Sequence, residues 1–215
     1  ADGFADLVVG AHEQHGAVAD AGAAFVYYGS AAGISATPSA TLDNPTPHVG
    51  DAFGASVAAA GDLDADGFAD LAVGAPLWDG AAADEGRVFV YHGAAAGISS
   101  APTTTLGDAE AQAGATFGRG LASAGDVNGD GFADLAVGAP LRDGPETDEG
   151  GVFAYYGSPT GLALVPSLTL DNPTDQAYAH FGFSVASAGD IDINGYDELL
   201  VGAQRQSNPE FQEGN

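Results

Sequence analysis

Three acidic loops carry the residues of this chain that are best suited to chemistry. Each loop begins with aspartate, places oxygen-bearing side chains at positions 1, 3, 5 and 9, and has glycine at position 6. The first loop, DLDADGFAD, covers residues 62–70, and equivalent loops start at Asp126 and Asp190. Alternate carboxylates of this kind converge on one hard cation, and glycine permits the turn between them. The pattern therefore predicts oxygen-only metal sites.

The loop chemistry favours Ca²⁺. Oxygen ligands suit a hard cation better than zinc or copper, and flexible carboxylates favour Ca²⁺ over Mg²⁺. A helix-flanked calcium sensor is excluded because position 12, a glutamate in such sensors, is Val73, Val137 or Val201 within an apolar run. Three complete structural sites are expected. With position 7 contributing a backbone carbonyl, the predicted ligands are Asp62, Asp64, Asp66, Phe68, Asp70, Asp126, Asn128, Asp130, Phe132, Asp134, Asp190, Asp192, Asn194, Tyr196 and Glu198.

An incomplete fourth loop opens the chain at ADGFAD. It keeps Asp2 and Asp6 but lacks the first two ligands, so we expect it to be empty or to bind metal weakly. For any single loop, the alternative is an aspartate- and glycine-rich turn without metal. Three loops in one register favour metal over that alternative.

The loops belong to a repeat of 64 residues, and a Phe-Gly pair recurs in the same register at 53, 117 and 181. One period contains four short apolar runs, separated by clusters of Gly, Asp and Pro. These runs cover residues 53–60, 70–75, 87–92 and 103–106. Four short strands per period predict an all-β fold built from β-propeller blades, whose sheets pack radially. A β-helix is the alternative, although its coils are usually shorter.

The stretch FGASVAAAGDLDADGFADLAVGAP, residues 53–76, resembles the FG-GAP repeat of integrin α-subunit propellers and their bacterial relatives. The same order of motifs recurs at 117–140, and a third copy at 181–203 ends in Gly-Ala-Gln. The resemblance covers essentially the whole chain and implies four-stranded antiparallel blades. The predicted units are a partial blade at 1–52, blades at 53–116 and 117–180, and a partial blade at 181–215.

These units predict an incomplete ring. Both chain ends carry a second strand, so they duplicate rather than complement each other in a shared closing blade. We therefore expect a fragment of a larger propeller, or a chain that forms a homo-oligomer to complete the ring.

The charge balance limits the partners. Asp plus Glu number 30 against 4 Lys plus Arg, which gives a net charge of −26. Such a chain repels phosphate backbones, so nucleic acid and anionic membranes are not expected as partners. No apolar stretch is long enough to insert through a membrane. Cysteine is absent, and calcium-loaded loops suit the millimolar calcium of an extracellular or cell-surface location.

We find no catalytic constellation in the sequence and expect no enzyme. His12 and His15 lack the i, i+4 helical context of a metalloprotease, no serine lies in a Gly-x-Ser-x-Gly elbow, and lysine is absent.

The longest and most varied loops should share the face opposite the acidic loops. They connect the second strand to the third and the fourth strand to the first, and binding commonly uses such loops over a rigid scaffold. The candidate ligand-binding residues are Trp78, Arg142, His48 and Tyr178, although each could instead pack its own loop. The corresponding face in integrins engages extracellular ligands, so the resemblance implies recognition or adhesion with a protein or glycan ligand. The alternatives are a carbohydrate-binding or accessory propeller of a secreted enzyme, and a self-assembling structural repeat.

Overall fold

The computed structural model of this chain describes residues 3–16 and 18–206. These residues form thirteen β-strands, and none of their elements is a helix long and apolar enough to cross a membrane. The strands are β1 Leu7–Ala11, β2 Ala23–Tyr27, β3 Ala40–Asp43, β4 Ser56–Gly61, β5 Asp70–Ala75, β6 Arg87–Tyr91, β7 Thr104–Leu106, β8 Gly120–Gly125, β9 Asp134–Ala139, β10 Gly151–Tyr155, β11 Leu168–Asp171, β12 Phe181–Gly189 and β13 Glu198–Ala203.

The strands form four separate antiparallel sheets in chain order. Two sheets are four-stranded, β4-β5-β6-β7 and β8-β9-β10-β11, and they are flanked by the three-stranded β1-β2-β3 and the two-stranded β12-β13. The predicted all-β class of four-stranded antiparallel propeller blades is confirmed, and the described sheets do not close a ring. The precise blade boundaries stay a prediction. By position in the repeat, we call β4, β8 and β12 first strands and β1, β5, β9 and β13 second strands.

Small residues allow the second strands to approach the neighbouring sheet closely. β5 and β9 share the sequence DLAVGA, and every residue in both strands is buried. A Cβ atom added to Gly74 would collide with the backbone carbonyl of Gly118 in the next sheet, and one added to Gly138 would collide with Gly182. The glycine of the Gly-Ala-Pro motif is therefore required by backbone packing between sheets.

The Phe-Gly pair joins each sheet to the preceding one. Isolated parallel bridges link Gly22 to Phe53, Gly86 to Phe117, and Gly150 to Phe181. The Phe53 and Phe117 rings are completely buried, and each packs against a phenylalanine of its own sheet at about 5.5 and 5.3 Å between ring centroids. Full burial of such a ring contributes roughly 1.5–3 kcal/mol, so the motif phenylalanines stabilise the contact between sheets.

Candidate metal centre

The three acidic loops connect the first and second strands of their sheets, and all three fold in the same way. Both carboxylate oxygens of Asp62 accept backbone hydrogen bonds, one from Asp66 N at 3.0 Å and one from Gly67 N at 2.9 Å. The equivalent bonds occur at Asp126 and Asp190. The glycine at position 6 has a φ of +92° in each loop, a conformation that strains any other residue. The first aspartate and this glycine therefore set the turn.

The acid at position 9 ties the loop to the end of the third strand of the sheet. Asp70 accepts hydrogen bonds from Leu63 N inside the loop and from Gly93 N after β6, both at 2.9 Å. Asp134 makes the equivalent pair of bonds. Burial raises the pKa of both Asp70 and Asp134, and these backbone hydrogen bonds oppose that shift. The sequence pattern had indicated a ligand at position 9 but not this second attachment.

Two of the loops gather three carboxylates into a cluster that could hold a metal ion. One oxygen each from Asp62, Asp64 and Asp70 lies within 4.8 Å of the other two. Positions 1, 3 and 9 of the third loop form a matching cluster of Asp190, Asp192 and Glu198. Two ligands bound to one Ca²⁺ at 2.3–2.6 Å are at most about 5 Å apart, so the oxygen spacing and the all-oxygen chemistry both fit this ion.

The second loop folds like the first and carries one negative charge fewer at its ligand positions. It places Asn128 at position 3, and Asp130 N donates to the amide oxygen of Asn128 at 2.9 Å, as Asp66 N donates to Asp64. The Asn128 amide nitrogen donates to Asp130 at 2.9 Å. An amide oxygen can coordinate a cation, so positions 1, 3, 5 and 9 of the second loop all still offer a side-chain oxygen.

The side chains at position 5 accept hydrogen bonds from the backbone of their own loops. At position 5, Asp66 Oδ1 accepts a hydrogen bond from Phe68 N at 2.9 Å, and Asn194 accepts the equivalent bond from Tyr196 N at 2.8 Å. The carbonyls of Phe68, Phe132 and Tyr196 stay predicted ligands. In the incomplete fourth loop, Asp2 lies outside the described residues, while Asp6 accepts a hydrogen bond from Gly29 N at 2.9 Å.

A histidine that sequence reasoning left unassigned lies beside the first cluster. His92 Nδ1 is 3.0 Å from Asp64 Oδ2, and both side chains are largely shielded from solvent. The repeat register gives the only sequence signal, because His92 occupies the position that Tyr28 and Tyr156 hold in neighbouring repeats. The Asp64 carboxylate therefore has an imidazole neighbour at a repeat position where the second loop, with Asn128, has Tyr156.

Neighbouring acidic loops are also bonded to each other. Ala133 N donates to the carbonyl of Asp62 at 3.1 Å, and Asp197 N donates to the carbonyl of Asp126 at 3.0 Å. Asp197 in turn accepts a hydrogen bond from Asp126 N at 2.9 Å. The carboxylate beside the third loop's position 9 therefore belongs to the contact between two loops.

On the opposite face, which we call the loop face, the structure brings Trp78 and His48 together. The Trp78 side chain is buried, and its Nε1 donates to the Thr46 hydroxyl at 3.2 Å and the Thr46 carbonyl at 3.3 Å. The two ring centroids of Trp78 and His48 are 5.5 Å apart. Trp78 therefore packs against the loop that leads from the preceding sheet.

Arg142 occupies the same repeat position as Trp78, one sheet further along. Its guanidinium lies 3.0 Å from Glu110, 3.3 Å from Asp171 and 3.8 Å from Asp108. Tyr178, by contrast, is 54% exposed and contacts Thr147 through its backbone amide. The four candidate residues thus do not form one cluster, and ligand binding by them stays a prediction.

Two segments of the chain, residues 53–91 and 117–155, match the model of the FG-GAP repeat. The chain belongs to the FG-GAP repeat family. It is 40% identical over 162 residues to integrin alpha-5 of Xenopus laevis, covering 70% of this chain and 14% of the relative. It is 41% identical over 156 residues to integrin alpha-IIb of Mus musculus, covering 70% and 15%. This FG-GAP chain spans about one seventh of the length of these curated relatives. The family predicted from the sequence is confirmed.

Proposed function

We propose that this FG-GAP chain is a calcium-stabilised, non-catalytic propeller segment of an extracellular or cell-surface protein, and that it serves recognition or adhesion. The observation that carries the proposal is the recurrence of three carboxylates within 4.8 Å in two loops of the same register. Like charges at such a distance repel, most strongly in the first cluster, where Asp70 is buried and Asp64 is largely shielded from solvent. A bound cation would remove that repulsion and hold the first and second strands of each sheet together.

The recognition part of the proposal rests on the loop face and on the family. The integrin α relatives share about 40% identity with most of this chain, and the family resemblance implies a ligand face opposite the acidic loops. The net charge of −26 favours protein or glycan ligands over nucleic acid. The need for calcium agrees with a compartment where calcium is millimolar.

A calcium titration of the EDTA-treated chain by isothermal calorimetry tests the metal part. We expect up to three binding events, and fewer or weaker events in Asp64→Asn and Asp192→Asn, which keep the side-chain shape but remove one charge. Glu13→Gln is the matched control, because Glu13 is an exposed carboxylate outside the loops. Heat from calcium binding that is unchanged by both loop variants, or absent in the unaltered chain, would refute the proposal.

A glycan array with the calcium-loaded chain separates the two ligand classes. Stacking on a sugar requires an exposed ring, and Tyr178 is the exposed aromatic among the candidate residues, whereas Trp78 is buried. Sugar binding that is lost in Tyr178→Ala would favour the carbohydrate-binding alternative. Light scattering in calcium and in EDTA addresses the self-assembling alternative, which requires a defined oligomer.

A further inference from the structure

A cleft of about 430 Å³ opens on the loop face where the second strands of the sheets converge. Its lining includes His12, Pro76, Pro140 and Gln204, which are spaced by 64 residues and follow directly after the ends of β1, β5, β9 and β13. All four described sheets therefore contribute to it at the same position of the repeat. The volume is in the range of small-ligand sites, which is roughly 300–1,000 Å³.

The charge of this cleft is opposite to that of the chain. Among the described residues that line it there is no aspartate or glutamate, although the chain has 30 acids. The lining does contain Arg119, His12 and His180. An anion that approaches this mouth therefore meets cationic and neutral groups, while the rest of the surface repels it.

Arg119 supplies a charge that the protein itself does not neutralise. Its guanidinium carbon lies 5.1 Å from the ring centroid of Phe183 in the next sheet, and it forms no ion pair within residues 3–16 and 18–206. Arg87 and Arg142, by contrast, are each paired with a carboxylate. The Phe183 ring positions the Arg119 guanidinium without satisfying its hydrogen-bond donors.

Thr116 lines the same cleft and carries a buried hydroxyl without a partner in the described structure. Thr116 is 8% exposed, and its Oγ1 has no hydrogen-bond partner in the described structure. Thr116 also has a φ of +53°, and the equivalent Ala52 and His180 have φ of +58° and +55°. A left-handed conformation is uncommon at a β-branched residue, and the turn that lines the cleft has it in all three repeats. Arg119 N donates to the Thr116 carbonyl at 3.1 Å, so the two residues are held side by side.

We propose that this cleft binds the carboxylate of a ligand, with the Arg119 guanidinium and the Thr116 hydroxyl as hydrogen-bond donors. The proposal rests on the recognition role proposed above for the loop face, and it specifies the chemical group that the cleft would recognise. A planar carboxylate matches the two parallel donors of a guanidinium. The apolar walls, which include Pro76, Pro140 and Leu141, suit a ligand with an apolar body next to its charge.

Three probes of the same shape and different charge test the proposal on the unaltered, calcium-loaded chain. Benzoate carries the carboxylate, benzamide is neutral, and benzamidinium is a cation. We expect benzoate to bind and benzamide to bind at least about tenfold more weakly, since hydrogen bonds to charged groups are the stronger ones. Equal binding of benzoate and benzamide, or tighter binding of benzamidinium, in ligand-observed NMR would overturn the proposal.

Substitutions of the proposed donors test whether benzoate binds in this cleft. Arg119→Gln should weaken benzoate binding at least about tenfold, and Thr116→Val should weaken it severalfold, because each removes a donor. Arg87→Gln removes an equal charge elsewhere and should leave benzoate binding unchanged. If Arg119→Gln does not fold, Arg119→Lys keeps the charge but not the paired donors, and we expect weaker binding there too. Unchanged binding in the folded Arg119 variant would also overturn the proposal.

A second pair of probes distinguishes a free acid from a protein side chain as the source of the carboxylate. The capped peptides Ac-Gly-Asp-Gly-NH₂ and Ac-Gly-Asn-Gly-NH₂ differ only in that group. Arg119-dependent binding of benzoate alone indicates a small-molecule acid, and binding of the aspartate peptide indicates an acidic loop of a protein. If neither binds, the cleft proposal fails, while the calcium titration and the glycan array still decide the proposed function separately.

Discussion

The Arg87 guanidinium lies over the indole of Trp78, with 3.6 Å between the guanidinium carbon and the ring centroid. In the next sheet, the equivalent positions are Gly151 and Arg142. A Cβ atom on Gly151 would lie 3.6 Å from Arg142 Cδ, and the Arg142 guanidinium lies 5.6 Å from the Phe153 ring centroid. Each sheet therefore has one arginine at this pair of positions. Arg87 belongs to strand β6, whereas Arg142 belongs to the loop after β9.

Trp78→Ala should destabilise the chain, because the indole is buried between two loops and carries both the Thr46 hydrogen bonds and the Arg87 contact. Removal of a buried tryptophan costs roughly 3–5 kcal/mol. Urea unfolding measures the loss. The control is Tyr178→Ala on the same face, which should change stability by less than about 0.5 kcal/mol because that ring is exposed. Equal losses of stability in the two variants would contradict the prediction that burial of the ring determines the cost.

Glu149→Gln should raise the stability of the chain at neutral pH. Burial raises the pKa of Glu149, the backbone amide of Glu146 opposes this, and nearby carboxylates of Asp175 and Asp171 raise it further. The folded state thus holds this proton more tightly than the unfolded state, so the ionised group costs stability once the pH rises above the ordinary value of 4.5. The advantage of the variant should therefore shrink as the pH falls towards that value.

The control for this measurement is the same substitution one repeat earlier. Glu85 lies 3.7 Å from the Arg87 guanidinium. Position 151 is glycine, and within residues 3–16 and 18–206 the ion pairs of Arg142 are with Asp108, Glu110 and Asp171 and not with Glu149. Glu85→Gln should therefore lower the unfolding free energy at pH 7, and Glu149→Gln should raise it. Guanidinium chloride unfolding at several pH values compares the two, and a gain in both variants would contradict this assignment of roles.

Removal of calcium should lower the melting temperature by many degrees. An ion present at 100 times its dissociation constant adds about 2.7 kcal/mol per site, and for a chain of this size about 1 kcal/mol corresponds to 2–4 °C. Differential scanning calorimetry in millimolar calcium and in EDTA measures the difference. The same melting temperature in both buffers would remove calcium from the structural account.

Gly74→Ala should destabilise the chain by roughly 1–3 kcal/mol, the usual cost of overpacking. The new methyl group would collide with the Gly118 carbonyl and with Ser56 Oγ. Gly16→Ala is the matched control, because nothing lies within 4 Å of its added Cβ, and it should be nearly neutral. Thermal unfolding that is equally affected by both substitutions would exclude the steric explanation.

Much of this architecture could be predicted from the spacing of residues along the chain. The 64-residue register and the alternating acids identified the loops between first and second strands, because those contacts are local in sequence. The apolar runs also predicted the strands well, as at residues 70–75, which form β5.

Contacts between residues far apart in the sequence could not be predicted from it. Trp78 is buried by Thr46, 32 residues earlier, and nothing local distinguishes it from an exposed binding aromatic. Asp70 bonds to Gly93, and His92 approaches Asp64, because β6 returns alongside β5, a geometry that periodicity alone does not specify. The left-handed conformation of Thr116 was likewise hidden, since threonine gives no signal for it.

The bonds between neighbouring acidic loops have a mechanical consequence. Asp197 N donates to the Asp126 carbonyl after one end of β8, and the Gly86–Phe117 bridge precedes its other end. β4 has the equivalent pair of attachments, the Ala133–Asp62 bond and the Gly22–Phe53 bridge. β4 and β8 are thus attached to neighbouring sheets near both of their ends, which opposes tilting of one sheet relative to the next. A force applied at the loop face is therefore carried through the strands to the acidic loops, where the bound ions would bear part of the load.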